Sequence, residues 1–180
     1  MYTKVGSPAR PWQKRKDCGA QLVEQNIHIL DGLRYLFGEP TSVYATCSRG
    51  ILVPGKDVAA EYETDDHSTA VITFPDNITV TLVSGCYVDG IPAKSGLVVT
   101  LRDIILDYDL RSKLTIKTKH EIREIKSQND QGFDEDRTFL DAVRSGDGSK
   151  IRSPYADALK SLKLGLAANE SMETGKAVQL

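Results

Sequence analysis

The sequence predicts an α+β fold: a large, mostly antiparallel, open-faced sheet with helices packed on one face. Three observations predict it. An amphipathic helical segment stands near the start, strand-sized segments with tight connections fill the middle, and two helical segments close the chain. Strands joined by short turns pair antiparallel, because a parallel crossover needs a dozen or more residues. The 180 residues are 40% hydrophobic and 27% charged, with a net charge of −2. That mixture suits one soluble domain with a sizeable core and excludes wholesale disorder.

Residues 1–19 are rich in Pro, Gly and Lys/Arg and read as a linker arm, with Arg10–Lys16 as a solvated basic stretch and Trp12 as a packing anchor. From Gln21 to Phe37 the period is helical. Leu22, Val23, Ile27, Ile29, Leu30, Leu33, Leu36 and Phe37 fall on about half the circumference. Gly38 and Pro40 supply the stop. Asn26 falls on the apolar side, so it needs a partner there or an irregular turn.

Strands are expected over 42–53, interrupted at Arg49-Gly50, and over 67–74 and 78–83, the last two joined by a hairpin turn at Pro75-Asp76-Asn77. Further strands are expected over 97–101, 104–108, 114–118 and 122–126. The face away from the helices is expected to carry half-polar positions such as Val80, Leu82, Val98, Ile104 and Leu106, and so to be an interaction surface. Residues 127–136 read as a loop. A short helix over 136–144 turns Phe139, Leu140 and Val143 inward. In the last helix Ser153 is a good N-cap, Pro154 suits the first turn and Gly175 ends it. Tyr155, Leu159, Leu162 and Leu166 form its stripe, small Gly165, Ala167 and Ala168 permit close approach, and Val178 starts a final strand.

Several function classes are excluded. No apolar run reaches the ~20 residues of a membrane helix, and no signal-peptide core opens the chain. The near-neutral charge argues against nucleic acid as a partner. Cys18, Cys47 and Cys86 are odd in number and lack metal-site spacing, which gives no disulfide framework, no metal site and a cytoplasmic location. Neither Gly-x-Gly-x-x-Gly nor a P-loop occurs, so these residues alone carry no visible nucleotide site.

One constellation could carry chemistry. Glu24, His28 and Asp31 stand at i, i+4 and i+7, within about 60° of one another on a continuous helix, and Tyr35 continues the edge. A carboxylate beside an imidazole orients it and raises its basicity, which makes a proton acceptor for an alcohol losing hydride. The same pattern also suits an ordinary solvated helix face. His67 and His120 read as turn residues.

These residues resemble a known family. Cys18 to Glu39, with Glu24, His28 and Asp31 in order, is similar to the first helix of the C-terminal domain of Gfo/Idh/MocA oxidoreductases. Phe139–Asp147 and Ile151–Lys176 resemble that domain's closing segments. The resemblance spans residue 12 to the end. It implies a substrate-binding and oligomerisation domain, residues 20–180, of an NAD(P)-dependent dehydrogenase acting on a sugar, cyclitol or similar polyol. It further implies a separate Rossmann domain as partner, NAD or NADP bound in the whole protein and not by this chain alone, and a homo-oligomer through the open sheet face. His28 takes the position of the catalytic histidine and Glu24 that of the acidic residue before it, commonly Asp. Asp31 and Tyr35 become substrate-binding or orienting groups, and Gly19 is a candidate at the cofactor-facing turn. Cys18-Gly19-Ala20 departs from the family's glycine run, placing side chains where backbone would approach closely. The alternative is a non-catalytic binding or scaffold domain that kept the fold.

Overall fold

A computed structural model describes residues 2–5, 19–88 and 95–180. Arg10–Lys16, Trp12 and Cys18 lie outside the described residues. The fold is α+β, and it divides into two compact units, Met1–Gly96 with Lys160–Leu180, and Leu97–Leu159.

In the first unit the strands are β1 (Tyr2–Val5), β2 (Ser42–Ser48), β3 (His67–Thr73), β4 (Thr79–Gly85) and β9 (Val178–Gln179). They lie in the order β1-β4-β3-β2-β9. β1 falls within the stretch expected as a linker arm. It pairs parallel to β4, Tyr2 opposite Leu82. The pairs β4–β3, β3–β2 and β2–β9 are antiparallel. Asp76 and Asn77 both adopt positive φ, 58° and 60°, the signature of the tight β3–β4 hairpin turn.

Alternation sorts the two faces of this sheet. Val43, Ala45, Ala70, Ile72, Val80 and Leu82 are buried. Tyr44, Thr46, Thr69, Val71, Thr81 and Val83 occupy the opposite face and stay exposed or half-buried. Val80 and Leu82 therefore belong to the core, and the expectation that they lie on the open face is corrected. The open face of β4 is Thr79, Thr81 and Val83, one residue out of step, and a one-residue slip exchanges faces.

The helices of this unit are α1 (Ala20–Glu24), α2 (Ile27–Phe37) and α4 (Tyr155–Thr174), the last shared with the second unit. α2 stops at Gly38, whose φ of +83° suits glycine and whose N–H donates to Arg34 O at 2.8 Å. Phe37 meets Phe74 of the hairpin edge to face at 5.7 Å. α4 reverses the expected stripe: Tyr155, Leu159 and Leu166 are exposed, and Ser161, Leu164, Gly165, Ala168 and Ser171 are buried. Close approach explains the inversion. A methyl on Gly165 would stand 3.0 Å from Val23 Cγ2 and 3.4 Å from Leu30 Cδ1, so only the small face of α4 fits there.

The second unit carries β6 (Ile104–Asp109), β7 (Lys113–Thr118), β8 (Ile122–Lys126) and most of β5 (Ser95–Thr100), in the order β8-β7-β6-β5. β6–β7 and β7–β8 are antiparallel. Lys117 pairs with Asp107 at 3.3 Å and Lys113 with Glu124 at 2.7 Å on one face. Helix α3 (Gln131–Ser145) begins within the expected loop, because Asp130 accepts from Phe133 N at 3.1 Å and caps it. None of its residues is buried. Phe139, Leu140 and Val143, expected to face inward, are 60%, 50% and 66% exposed.

The sheet edges are blunted. β8 is five residues long, exposed throughout, and carries Arg123, Glu124 and Lys126. At the other unit's edge β9 pairs only with Ser42 and Val43 of β2. The next free amide, Ala45 N, donates to Ser171 Oγ of α4 at 2.9 Å, and that hydroxyl donates to Lys176 O.

Candidate functional site

The expected single helix over 21–37 is two helices. Gln21 O accepts from both Gln25 N (2.9 Å) and Asn26 N (3.2 Å), and Asn26 leaves helical geometry at φ −112°, ψ 6°. Its carbonyl then starts α2 by accepting from Ile29 N and Leu30 N, both at 2.9 Å. Glu24 thus ends α1 and His28 is the second residue of α2. The angular count across Glu24, His28 and Asp31 does not survive the break. Within α2 it holds: Tyr35 lies about 20° from His28 and Asp31 about 60° away.

Glu24, His28 and Tyr35 are exposed, Tyr35 at 68%. Neither Glu24 nor His28 has a hydrogen-bond or ion-pair partner among the described residues. Because His28 is exposed, its imidazole is accessible to a ligand. Asp31 turns elsewhere. Its Oδ1 accepts from Ser161 Oγ of α4 at 2.8 Å and pairs with Arg34 Nη1 at 3.5 Å.

Arg34 is the hub of that clamp and is buried. Its Nη1 donates to Ser161 Oγ at 2.7 Å, and its Nε and Nη2 donate to the two Glu39 oxygens at 3.1 and 2.8 Å. Lys160 adds a third cation–carboxylate contact at 3.2 Å. The hydrogen bond from Arg34 is the main reason Glu39's carboxyl is held down at about 2.

Sequence reasoning missed a second polar cluster beneath the break. Gln21 and Asn26 are fully buried. Asn26 Nδ2 donates to Ser84 Oγ at 2.5 Å and to Gln21 O at 3.1 Å. Ser84 Oγ donates to Gln21 Oε1 at 3.2 Å, and Gln21 Nε2 donates to Asp65 O and to Cys86 Sγ. Tyr62 OH donates to Asp65 O at 3.3 Å and lies 3.6 Å from Cys86 Sγ. Burial pushes the Tyr62 hydroxyl and the Cys86 thiol up from their ordinary values, so both stay neutral. The one sequence signal for this cluster was Asn26 on an apolar face.

His67 opens β3 and is half-buried rather than a surface turn residue. Its Nε2 lies 3.2 Å from Thr69 Oγ1 and its Nδ1 3.3 Å from Tyr87 OH. Among the described residues no group of three His, Cys, Asp or Glu side chains could hold a metal.

Gly19, the candidate at the cofactor-facing turn, stands at the N-cap of α1. Gly19 O accepts from Asn169 Nδ2 at 2.7 Å, and a methyl on Gly19 would collide with Val23. Packing accounts for this glycine. Ala20 beside it is buried with φ +60°, a conformation that glycine would adopt without strain.

The α+β fold, with its broken first helix packed on the sheet, is that of an oxidoreductase C-terminal domain. The chain belongs to the GFO/IDH/MocA family: the model of its C-terminal domain matches residues 2–95. Solved structures share the fold. A protein described as an oxidoreductase from Thermotoga maritima superposes with a TM-score of 0.80 at 20% identity, over 99% of this chain and 53% of its own. Levoglucosan dehydrogenase in complex with NADH and L-sorbose gives 0.79 at 18% identity, over 98% and 56%. A protein described as an NADPH-dependent oxidoreductase from Desulfitobacterium hafniense gives 0.75 at 17%, over 99% and 55%. The chain thus spans a little over half the length of each. No curated protein matches. Among the described residues no helix is long and apolar enough to cross a membrane.

Proposed function

We propose that this chain is the substrate-side domain of a cytoplasmic NAD(P)-dependent dehydrogenase acting on a sugar, cyclitol or similar polyol. The observation that carries this reading is the exposed His28 imidazole in the second position of α2, unpartnered among the described residues, with the equally unpartnered Glu24 across the break at the end of α1. In this reading His28 takes the proton of the substrate hydroxyl as the carbon gives up hydride and C–O becomes C=O. The hydride acceptor is the nicotinamide of a separate Rossmann domain. Glu24 binds a neighbouring hydroxyl or steadies the imidazolium, and Tyr35, on the same face of α2, flanks the substrate. Asp31 acts indirectly by tying α2 to α4. The sugar class is supported by levoglucosan dehydrogenase, solved with NADH and L-sorbose.

The test compares the protein carrying both domains with its His28→Ala variant. Turnover should fall about 10²–10⁴-fold, mainly in kcat. This chain alone should oxidise no polyol with either nicotinamide. Unchanged kcat in His28→Ala removes the histidine from the mechanism and favours the non-catalytic scaffold reading.

A further inference from the structure

The start of α2 carries His28 yet has little local support. Asn26 makes no side-chain cap bond and the first turn holds no acidic residue. Uncapped helix ends fray, because their first N–H groups lack partners. A proton acceptor at such an end needs to be held from elsewhere, since misplacement of a fraction of an ångström costs rate.

The support comes from below. Asn26, two residues before His28, is fully buried, and its side-chain amide donates to Ser84 Oγ at the end of β4 and to Gln21 O at the end of its own turn. Ser84 closes the ring by donating to Gln21 Oε1. The backbone of Asn26 supplies the carbonyl on which α2 starts. The same residue therefore breaks the helix, pins the break to the sheet and launches the turn that bears the imidazole.

We propose that Asn26, acting through Ser84, is the positioning residue for His28. It fixes the direction in which α2 leaves the sheet and hence where the imidazole stands relative to Glu24. What the positioning serves rests on the proton-acceptor reading above; the positioning itself is measurable without turnover.

The chain has three histidines, His28, His67 and His120, which give three imidazole Cε1–H signals in NMR. Asn26→Ala and Ser84→Ala should each move and broaden the His28 signal and leave that of His120 in place, whereas His67, opposite Gly85 on the paired strand, is no control for Ser84→Ala. Amide exchange over 27–30 should quicken about tenfold or more relative to the rest of α2. In the two-domain protein both variants should lower kcat more than they raise KM. Ser84→Ala removes the acceptor without touching the helix break, and carries the test if Asn26→Ala fails to fold. A purely structural role would lower the melting temperature and leave the His28 signal unchanged; that result in a folded variant overturns the proposal. If His28→Ala keeps its turnover while Asn26→Ala still moves the His28 signal, the catalytic reading fails and the positioning stands.

Discussion

Two residues show how burial decides chemistry. Cys47 is exposed and Cys86 is buried against Gln21 and Tyr62 with its thiol held neutral. The thiolate is the reactive form, so an alkylating reagent should label Cys47 within minutes and Cys86 only on unfolding. Peptide mass mapping with and without denaturant reads this, and rapid native labelling of Cys86 would contradict its burial. Glu39 gives a pH dependence of known sign. Its carboxyl ionises at about 2 in the folded chain against 4.5 without its partners, so its contribution is present above 4.5 and fades as pH falls toward 2. Arg34→Met should destabilise the chain at pH 7 and flatten that part of the acid denaturation curve. Equal acid sensitivity in the two proteins would show that the Arg34–Glu39 pair is idle.

At the level of the element, the close approach of α4 to the α1–α2 turn governs packing. Gly165→Leu should cost about 1–3 kcal/mol, the range for forcing side-chain volume into a filled site. Urea denaturation measures it, and an unchanged midpoint would mean α4 can move aside. Elements were legible where local rules decide them. The β3–β4 hairpin, β8, the stop at Gly38 and the C-terminal glycine of α4, with φ +68° at Gly175, all follow from turn chemistry and period. The break in the first helix was legible only as a misfit at Asn26, because the Ser84 hydroxyl that satisfies it lies 58 residues along the chain. The α4 stripe misled for a related reason. Leucines mark an apolar face, but Leu159 and Leu166 point outward, and the inner positions go to Ser161, Gly165, Ala168 and Ser171 with Leu164 as the one buried leucine, because a methyl on Gly165 would already crowd Val23.

On the scale of the whole molecule, the fold class followed from element order, and the family from the two end segments. The covered face of the sheet was misassigned, although β4 sets Val80 and Leu82 in one phase and Thr79 and Thr81 in the other, and the apolar phase is the buried one. The homo-oligomer expected from the family resemblance would use the face of the first unit on which Tyr44 is 42% and Val71 38% exposed. Light scattering at rising concentration should show a dimer or larger; a strict monomer at high concentration would refute it. The covered edges bear on how such copies could meet. β8 is short and charged, and in the other unit the β2 margin is sealed by β9 and the Ser171 hydroxyl, so each of these two edges offers another chain little backbone to zip onto. Growth by strand addition at these two edges, the route to fibrils, is discouraged.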